Sequence, residues 1–585
     1  MPDHLLPWLL STHSVLSAIG LLVYALMSHV LRQRRHPAAA VGWVLLLLSA
    51  PYVGIPLYLT FGSRKLPRAR RAPPPLSRSG SAAVLAERTE LAPDGPGDAP
   101  GGSAAWLPGL AVSMGLPPPA GYRALRIHTD GAEAVSALWE VLGSARSTLD
   151  VSTFLLGHDA LGDRVVERLA QAARDGVKVR LLVDGIGLIM GGRRNLDALA
   201  AQGVRVARFV PPLRSPLKGR LNLRNHRKLA IADGAHLWCG GRNLAAEYFG
   251  DAIGPPGHAP PHRSGWLDLS FDLRGPAVLQ AAAVFEADWT FATEDVRAAL
   301  PLAPVALAAA AVGSSQVGAL GPAALAPASA ALAARVSTPP GAAASAEPHR
   351  AAAAPGASRG SDGPAARAPS PRIEPPTPSR THRHAGHAGP TDYAGPAGHA
   401  GSAEAPRRVQ LVPSGPDYAE DTLHALLVTA CFRAQRRIRA VTPYFVPDDA
   451  LLTALTLAAR RGVDIEVVMP AASNHRLADF ARRRAMREMV ASGARMRLVP
   501  HMVHAKAIVF DEALAVAGSA NLDARSLFLN YELMLAFDAP ADVARFAAAI
   551  ETIAAHAPVW RPASQDPGLT RRLAEGLVLW LAFQL

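Results

Sequence analysis

The sequence predicts an α/β protein of two similar halves, preceded by a pair of apolar helices. Three observations lead there. Two uncharged apolar runs open the chain, two later blocks repeat one strand–helix–turn–strand pattern, and an Ala/Pro/Gly-rich stretch separates those blocks. At 585 residues the chain is too long for one domain. Hydrophobic residues make up 49%, but aromatics only 6%, so alanine inflates the apolar share. Two cysteines exclude a disulfide scaffold and a Cys-rich zinc site. The net charge of +13 points to an anionic partner, nucleic acid or anionic lipid.

The first element is membrane-directed. Leu5–Leu31 and Pro37–Ser63 each run 27 residues without Asp, Glu, Lys or Arg, more than the roughly 20 a bilayer requires. The N-terminus carries no basic side chain before the first run, unlike a cleaved signal peptide. Residues 1–63 are therefore expected to form a transmembrane helical hairpin with both ends on one side. Arg32, Arg34 and Arg35 lie in its turn, and Arg64, Lys65, Arg68, Arg70 and Arg71 follow it. The larger cluster beside the catalytic region favours a cytoplasmic placement of that region.

Residues 64–119 read as a basic, then Pro/Gly/Ala-rich linker, and 301–406 as a disordered insert that cannot bury enough apolar surface to order itself. The insert's His382, His384 and His387 lack regular spacing and are not taken as a metal site. Two ordered blocks remain, 120–300 and 407–585. In the first, Ala145–Phe154 and Ala172–Val183 read as a strand, then the end of a helix, a Gly-Val turn and a second strand. Ala434–Tyr444 and Ala458–Met469 repeat that order. Helices interleaved with strands give α/β layering, and the repeat suggests two domains about a pseudo-twofold axis. The apolar tail Gly576–Leu585 is too short to span; it either lies on the membrane surface or completes the core.

The chemistry is repeated as well. His226-x-Lys228-x4-Asp233 is followed by Gly240-Gly-Arg-Asn243, and His504-x-Lys506-x4-Asp511 by Gly518-Ser-Ala-Asn521, all offset by 278 residues. The chain has only five lysines against 55 arginines, yet two fall in these motifs, so an ammonium is specifically required there. Alternation along a strand puts His226 with Lys228, and His504 with Lys506, on one side. Two such strands facing each other suit a phosphodiester. Ammoniums and Asn amides hold its oxygens, one imidazole attacks phosphorus, and the other protonates the leaving alcohol. Unperturbed imidazoles near pKa 6.5 would supply that neutral-plus-protonated pair at neutral pH. No metal or other cofactor is called for. His226, Lys228, Asp233, His504, Lys506 and Asp511 form the candidate catalytic set, with Asn243, Asn521 and Ser519 at the substrate. Asp233 and Asp511 are equally readable as stabilisers of the turn after each strand.

These residues resemble the phospholipase D superfamily, and more closely its bacterial cardiolipin synthases. Supporting stretches are Asn225–Lys228, Gly240–Phe249, Ser414–Asp417, Thr442–Asp448 and Asn521–Glu532, with Pro51–Gly54 and Tyr58–Gly62 in the apolar region. The resemblance implies two phospholipase D-like domains, a phosphohistidine intermediate, His226 as nucleophile and His504 as acid/base. It also implies that Asp268 and Glu532 orient the imidazoles. The expected reaction transfers a phosphatidyl group from phosphatidylglycerol to a second phospholipid, releasing glycerol. The expected location is the bacterial inner membrane, multi-pass, with no nucleic-acid partner; the sequence leaves oligomeric state undefined. Hydrolysis to phosphatidic acid is the alternative within this chemistry, and a non-enzymatic membrane scaffold the alternative outside it. His501 stands where the family more often has glycine, and Cys239 reads as core.

Overall fold

The computed structural model describes residues 5–30, 37–62, 104–192, 194–211, 222–250, 265–299, 407–418, 420–562, Gly568 and Glu575. The expectations for 64–103, the 301–406 insert and the apolar tail lie outside these residues.

Helix α1 (Leu5–Val30) is uninterrupted. The second apolar run is not one helix, contrary to expectation. It divides into α2 (Pro37–Ser49) and α3 (Pro51–Phe61). Ala50 leaves helical geometry at φ −144°, and Pro51 contributes no backbone N–H. The stretch up to residue 119 is not wholly tether either. Trp106–Ser113 forms α4, and Leu107, Ala111 and Leu116 enter the core of the second half.

The first half contains β1 (Ala120–Gly121), β2 (Arg123–His128), α5 (Gly131–Ser144), β3 (Thr148–Thr153), α6 (Ala160–Arg174) and β4 (Lys178–Asp184). It continues through α7 (Gly185–Met190), β5 (Arg205–Phe209), β6 (Leu229–Ala232), β7 (His236–Gly240), β8 (Ser270–Arg274) and α8 (Ala277–Ala299). The second half contains β9 (Arg408–Ser414), α9 (Thr422–Arg433), β10 (Arg437–Val441), β11 (Phe445–Val446), α10 (Asp449–Arg460) and β12 (Asp464–Pro470). After it come α11 (Arg476–Ala491), β13 (Arg495–Val499), β14 (Ala507–Phe510), β15 (Leu514–Gly518), β16 (Leu522–Asp523), β17 (Glu532–Phe537) and α12 (Pro540–Ala554).

The sequence repeat becomes a repeat of topology. The first sheet runs β2-β8-β7-β6-β3-β4-β5, and the second β9-β17-β15-β14-β10-β12-β13 with β1 added at its edge. Strand by strand the two orders match. Within these two sheets only the neighbours on the β3–β4–β5 and β10–β12–β13 sides run parallel. The middle strands of these sides, β4 and β12, are buried on both faces over the apolar runs Leu181–Val183 and Val467–Met469. One core joins the sheets: Leu229, Ile231 and Phe271 pack with Leu411, Val509 and Phe537, closed by Phe285 of α8 and Phe546 of α12. Cys239 lies in that core.

Asp233 and Asp511 sit at the far end of β6 and β14 from the histidines. Each is in the left-handed region at φ 52°, a conformation Asp tolerates better than most residues. Asp233 accepts from the backbone N–H of Arg146, Ser147 and Thr148 at 2.7–2.8 Å. Asp511 does the same for Gln435, Arg436 and Arg437 at 2.8–3.0 Å. Each carboxylate thus ties the hairpin turn to the start of the neighbouring antiparallel strand, β3 or β10. Asp233→Ala or Asp511→Ala should each cost about 1–2 kcal/mol of stability, a lower thermal midpoint, because backbone donors lose their acceptors. Turnover per folded molecule should be kept; activity lost at unchanged stability would place these carboxylates in the chemistry instead.

Candidate active site

Both motifs enter the site in the same way. His226 immediately precedes β6, which runs antiparallel beside β3, so it emerges at the carboxyl end of β3. His504 emerges likewise beside the carboxyl end of β10, ahead of β14. Neither segment pairs within its own half there. Asn225 bridges to Tyr531, with His226 N–H donating to Tyr531 O at 2.9 Å and Tyr531 N–H to Arg224 O at 2.8 Å. Reciprocally, Leu267 bridges to Val503, with His504 N–H donating to Leu267 O at 2.7 Å and Leu267 N–H to Met502 O at 2.9 Å.

This register carries each histidine to a carboxylate of the opposite half. His226 Nδ1 lies 2.9 Å from Glu532 Oε1, and His504 Nδ1 lies 2.7 Å from Asp268 Oδ2. Both carboxylates are fully buried. An Nδ1–H donated to a carboxylate leaves Nε2 as the reactive nitrogen of each ring. Among the described residues neither Nε2 is hydrogen-bonded. Phe154 packs edge-on against His226, with centroids 5.4 Å apart, while Tyr248 and Trp266 flank His504 at 4.9 and 5.5 Å. Each ring is thereby held by a carboxylate and by aromatic packing, from one ring at His226 and from two at His504.

The lysines are buried beside their histidines. Lys228 Nζ donates to His226 O at 2.7 Å; Lys506 Nζ donates to His504 O and also lies 2.8 Å from His504 Nδ1. Burial lowers both ammoniums, Lys506 to about 8 and Lys228 well below its ordinary value. Burial also lowers both imidazoles, reinforced at each by its neighbouring lysine charge, and pushes His504 down to about 3. For Glu532 and Asp268 burial acts upward, but the paired imidazole and nearby lysine outweigh it and hold both carboxyls below their usual range. Both shifts favour the neutral imidazole, away from the half-protonated pair expected of unperturbed rings, and two carboxylates face two lysines.

Other predicted residues fall in different places. The Ser519 hydroxyl donates to Glu532 Oε2 at 2.5 Å and accepts from Leu533 N–H at 2.9 Å, which places it behind the carboxylate that backs His226. Gly241 occupies the matching place in the first half, where a Cβ would come within 2.1 Å of Asp268 Oδ1. Asn243 Oδ1 accepts from Leu155 N–H at 3.3 Å, and Asn521 Nδ2 donates to Asp523 Oδ2 at 2.9 Å. Asp233 and Asp511, engaged at the distant turns, are not brought together with the histidines. Sequence reasoning missed Arg227, which is fully buried between the halves. It donates to Glu532 O and Ser414 O, each at 3.0 Å, and is ion-paired with Asp288. Its only sequence signal was a charged residue alternating out of phase with His226 and Lys228. Phe154, Tyr248 and Trp266 carried none, because their role depends on tertiary contact. Among the described residues no group of three His, Cys, Asp or Glu side chains is placed to hold a metal ion.

A bound phosphate anion raises the imidazole pKa values, since an opposite charge favours the protonated ring. With both imidazoles lowered from their ordinary value, proton exchange at pH 7 on anion binding runs toward uptake. Binding of inorganic phosphate should therefore take up a fraction of a proton, up to about one per site, with affinity rising as pH falls. Calorimetry in buffers of different ionisation enthalpy reads this directly. A binding enthalpy independent of buffer would contradict lowered imidazoles in the free protein.

The family model "Cardiolipin synthase, PLD-like domain" matches residues 138–252 and 427–554, one copy in each half. The family "Phospholipase_D-nuclease N-terminal" matches residues 20–63. The cardiolipin synthase of Geobacillus kaustophilus (strain HTA426) is 25% identical over 533 residues, covering 90% of this chain and 84% of that protein. Cardiolipin synthase A of Pseudomonas aeruginosa (strain LESB58) is 25% identical over 539 residues, covering 89% and 85%. Among solved structures, phosphatidylserine synthase of Haemophilus influenzae Rd KW20 is similar at 12% identity and TM-score 0.49, covering 80% of this chain and 96% of that one. The chain thus carries a cardiolipin-synthase-type PLD-like domain in each half and is similar to proteins named cardiolipin synthase along nearly its whole length.

Proposed function

We propose that the chain is a membrane-bound phosphatidyltransferase that moves a phosphatidyl group from phosphatidylglycerol to a second phospholipid, releasing glycerol. The observation that carries this reading is the pair of imidazoles, each backed at Nδ1 by a carboxylate of the other half and each presenting Nε2. Such a pair suits two successive displacements at one phosphorus.

In the first, His226 Nε2 attacks phosphorus. The P–N bond forms, the P–O bond to glycerol breaks, and His504 Nε2–H gives its proton to the departing oxygen. In the second, the acceptor hydroxyl loses its proton to His504 Nε2 and attacks phosphorus, and the P–N bond breaks. The proton that His504 first needs is taken up from solvent as the anionic substrate binds, because the substrate's charge favours the imidazolium. Lys228 and Lys506 offset the phosphoryl charge, and Asn243 and Asn521 contribute amide donors. Glu532 and Asp268 hold the tautomers and stabilise each imidazolium as it forms. Arg227 keeps the Glu532 backbone in place. The proposed division of the chain follows: residues 1–63 in the membrane, a linker to 119, catalytic halves at 120–300 and 407–585, and the insert at 301–406 between them.

The test is lipid mass spectrometry after mixing the purified full-length protein in detergent with phosphatidylglycerol. Cardiolipin with free glycerol is expected from the wild type. His226→Ala or His504→Ala should lower the rate by about 10³-fold or more. Phosphatidic acid as the only product would mean transfer to water, and identical products from wild type and variants would overturn the reading.

A further inference from the structure

We propose that residues 37–62 form a re-entrant hairpin that enters and leaves through the same membrane face rather than a second span, so the N-terminus and the catalytic halves lie on opposite sides of the membrane. This inference does not depend on the reaction. It starts from where α3 goes after the break at Ala50. Trp43 of α2 and Tyr58 of α3 meet edge-to-face, with ring centroids 5.2 Å apart. In one continuous helix, residues fifteen apart would be about 22 Å apart along the axis. Gly54 lies so close to α2 that a Cβ there would stand 3.1 Å from Leu46 O. The chain therefore turns back on itself, and α3 returns alongside α2.

Lengths decide what this means in a bilayer. Helix α1, with 26 residues, extends about 39 Å and exceeds a hydrocarbon core of about 30 Å. Among the described residues it is the one helix long and apolar enough to cross. Helices α2 and α3, with 13 and 11 residues, reach about 20 and 17 Å, more than one leaflet and less than two.

The hairpin tip is chemically fitted to apolar surroundings. A broken helix leaves carbonyls without intrahelical partners, which hydrocarbon tolerates only when neighbouring groups satisfy them. Here Leu48 O accepts from α1, with His13 Nε2 at 2.8 Å and Ser17 Oγ at 3.3 Å. Gly20 allows the close approach, since a Cβ there would meet Leu47 and Ile55 side chains at 3.0–3.1 Å. Val41, Leu45, Tyr52, Val53 and Leu57 remain exposed, as a lipid-facing surface would. His13 lies eight residues from the start of α1, so about 12 Å of α1 continues past the tip.

With one span and one re-entrant hairpin, the arginines of 32–35 and the basic residues of 64–71 fall on the same side, while residues 1–31 carry no Lys or Arg. The charge asymmetry is then eight to none, a much stronger positive-inside signal than two spans provide. It puts the catalytic halves in the cytoplasm and the N-terminus outside.

Cysteine mapping on the full chain in bacterial cells tests this, because the native Cys239 and Cys431 are buried. With a membrane-impermeant maleimide, Asp3→Cys should label in intact cells and Ser63→Cys only after permeabilisation. The reverse pattern would keep the opposite-side topology and overturn only the cytoplasmic orientation. Labelling of both positions from the same side, whichever side that is, would overturn the hairpin.

Discussion

Everything at the site depends on two short backbone pairings, Asn225 with Tyr531 and Leu267 with Val503. They are reciprocal across an approximate twofold axis, and each joins the segment carrying a histidine to the one carrying the other half's carboxylate. Neither half alone supplies the carboxylate that backs its own motif histidine, His226 or His504. The shared core of both sheets and the buried Arg227–Asp288 ion pair make the docking rigid, because a charge at that depth is tolerated only with its partner in place. Duplication of the fold is thus built into the chemistry.

The electrostatics follow from the same burial. Taking two lysines, two carboxylates and two imidazoles out of water disfavours every charge, and the charges that persist are those facing opposite ones. Neutral imidazoles with Nδ1–H held by a carboxylate are poised to attack through Nε2 or to accept a proton there. In the proposed reaction an arriving phosphodiester would supply the negative charge that an imidazolium requires, coupling substrate binding to proton binding.

Much of this was legible in the sequence. The repeat, the 278-residue offset and the scarcity of lysine pointed to paired strands and a two-histidine site. Glycine–valine turns and alternating apolar runs located the parallel strands. What could not be read depended on tertiary register. Asp233 and Asp511 have the spacing of catalytic residues, yet their place at the far end of a four-residue strand gives them a turn to hold. Ser519 read as substrate-facing, and only the pairing of β15 with β17 shows its hydroxyl aimed at Glu532. The second apolar run had the composition of a span, and Pro51 was the one local sign of its reversal.

The account's central claim is that the cross-held histidines divide the work, one forming a bond to phosphorus while the other moves the proton. The most direct measurement mixes the full-length protein with isotopically labelled phosphatidylglycerol, quenches it in alkaline detergent and maps the labelled residue by mass spectrometry. The account predicts a phosphoryl adduct on His226. Label on His504 would reverse the assigned roles, and label on neither imidazole would contradict the double-displacement mechanism itself.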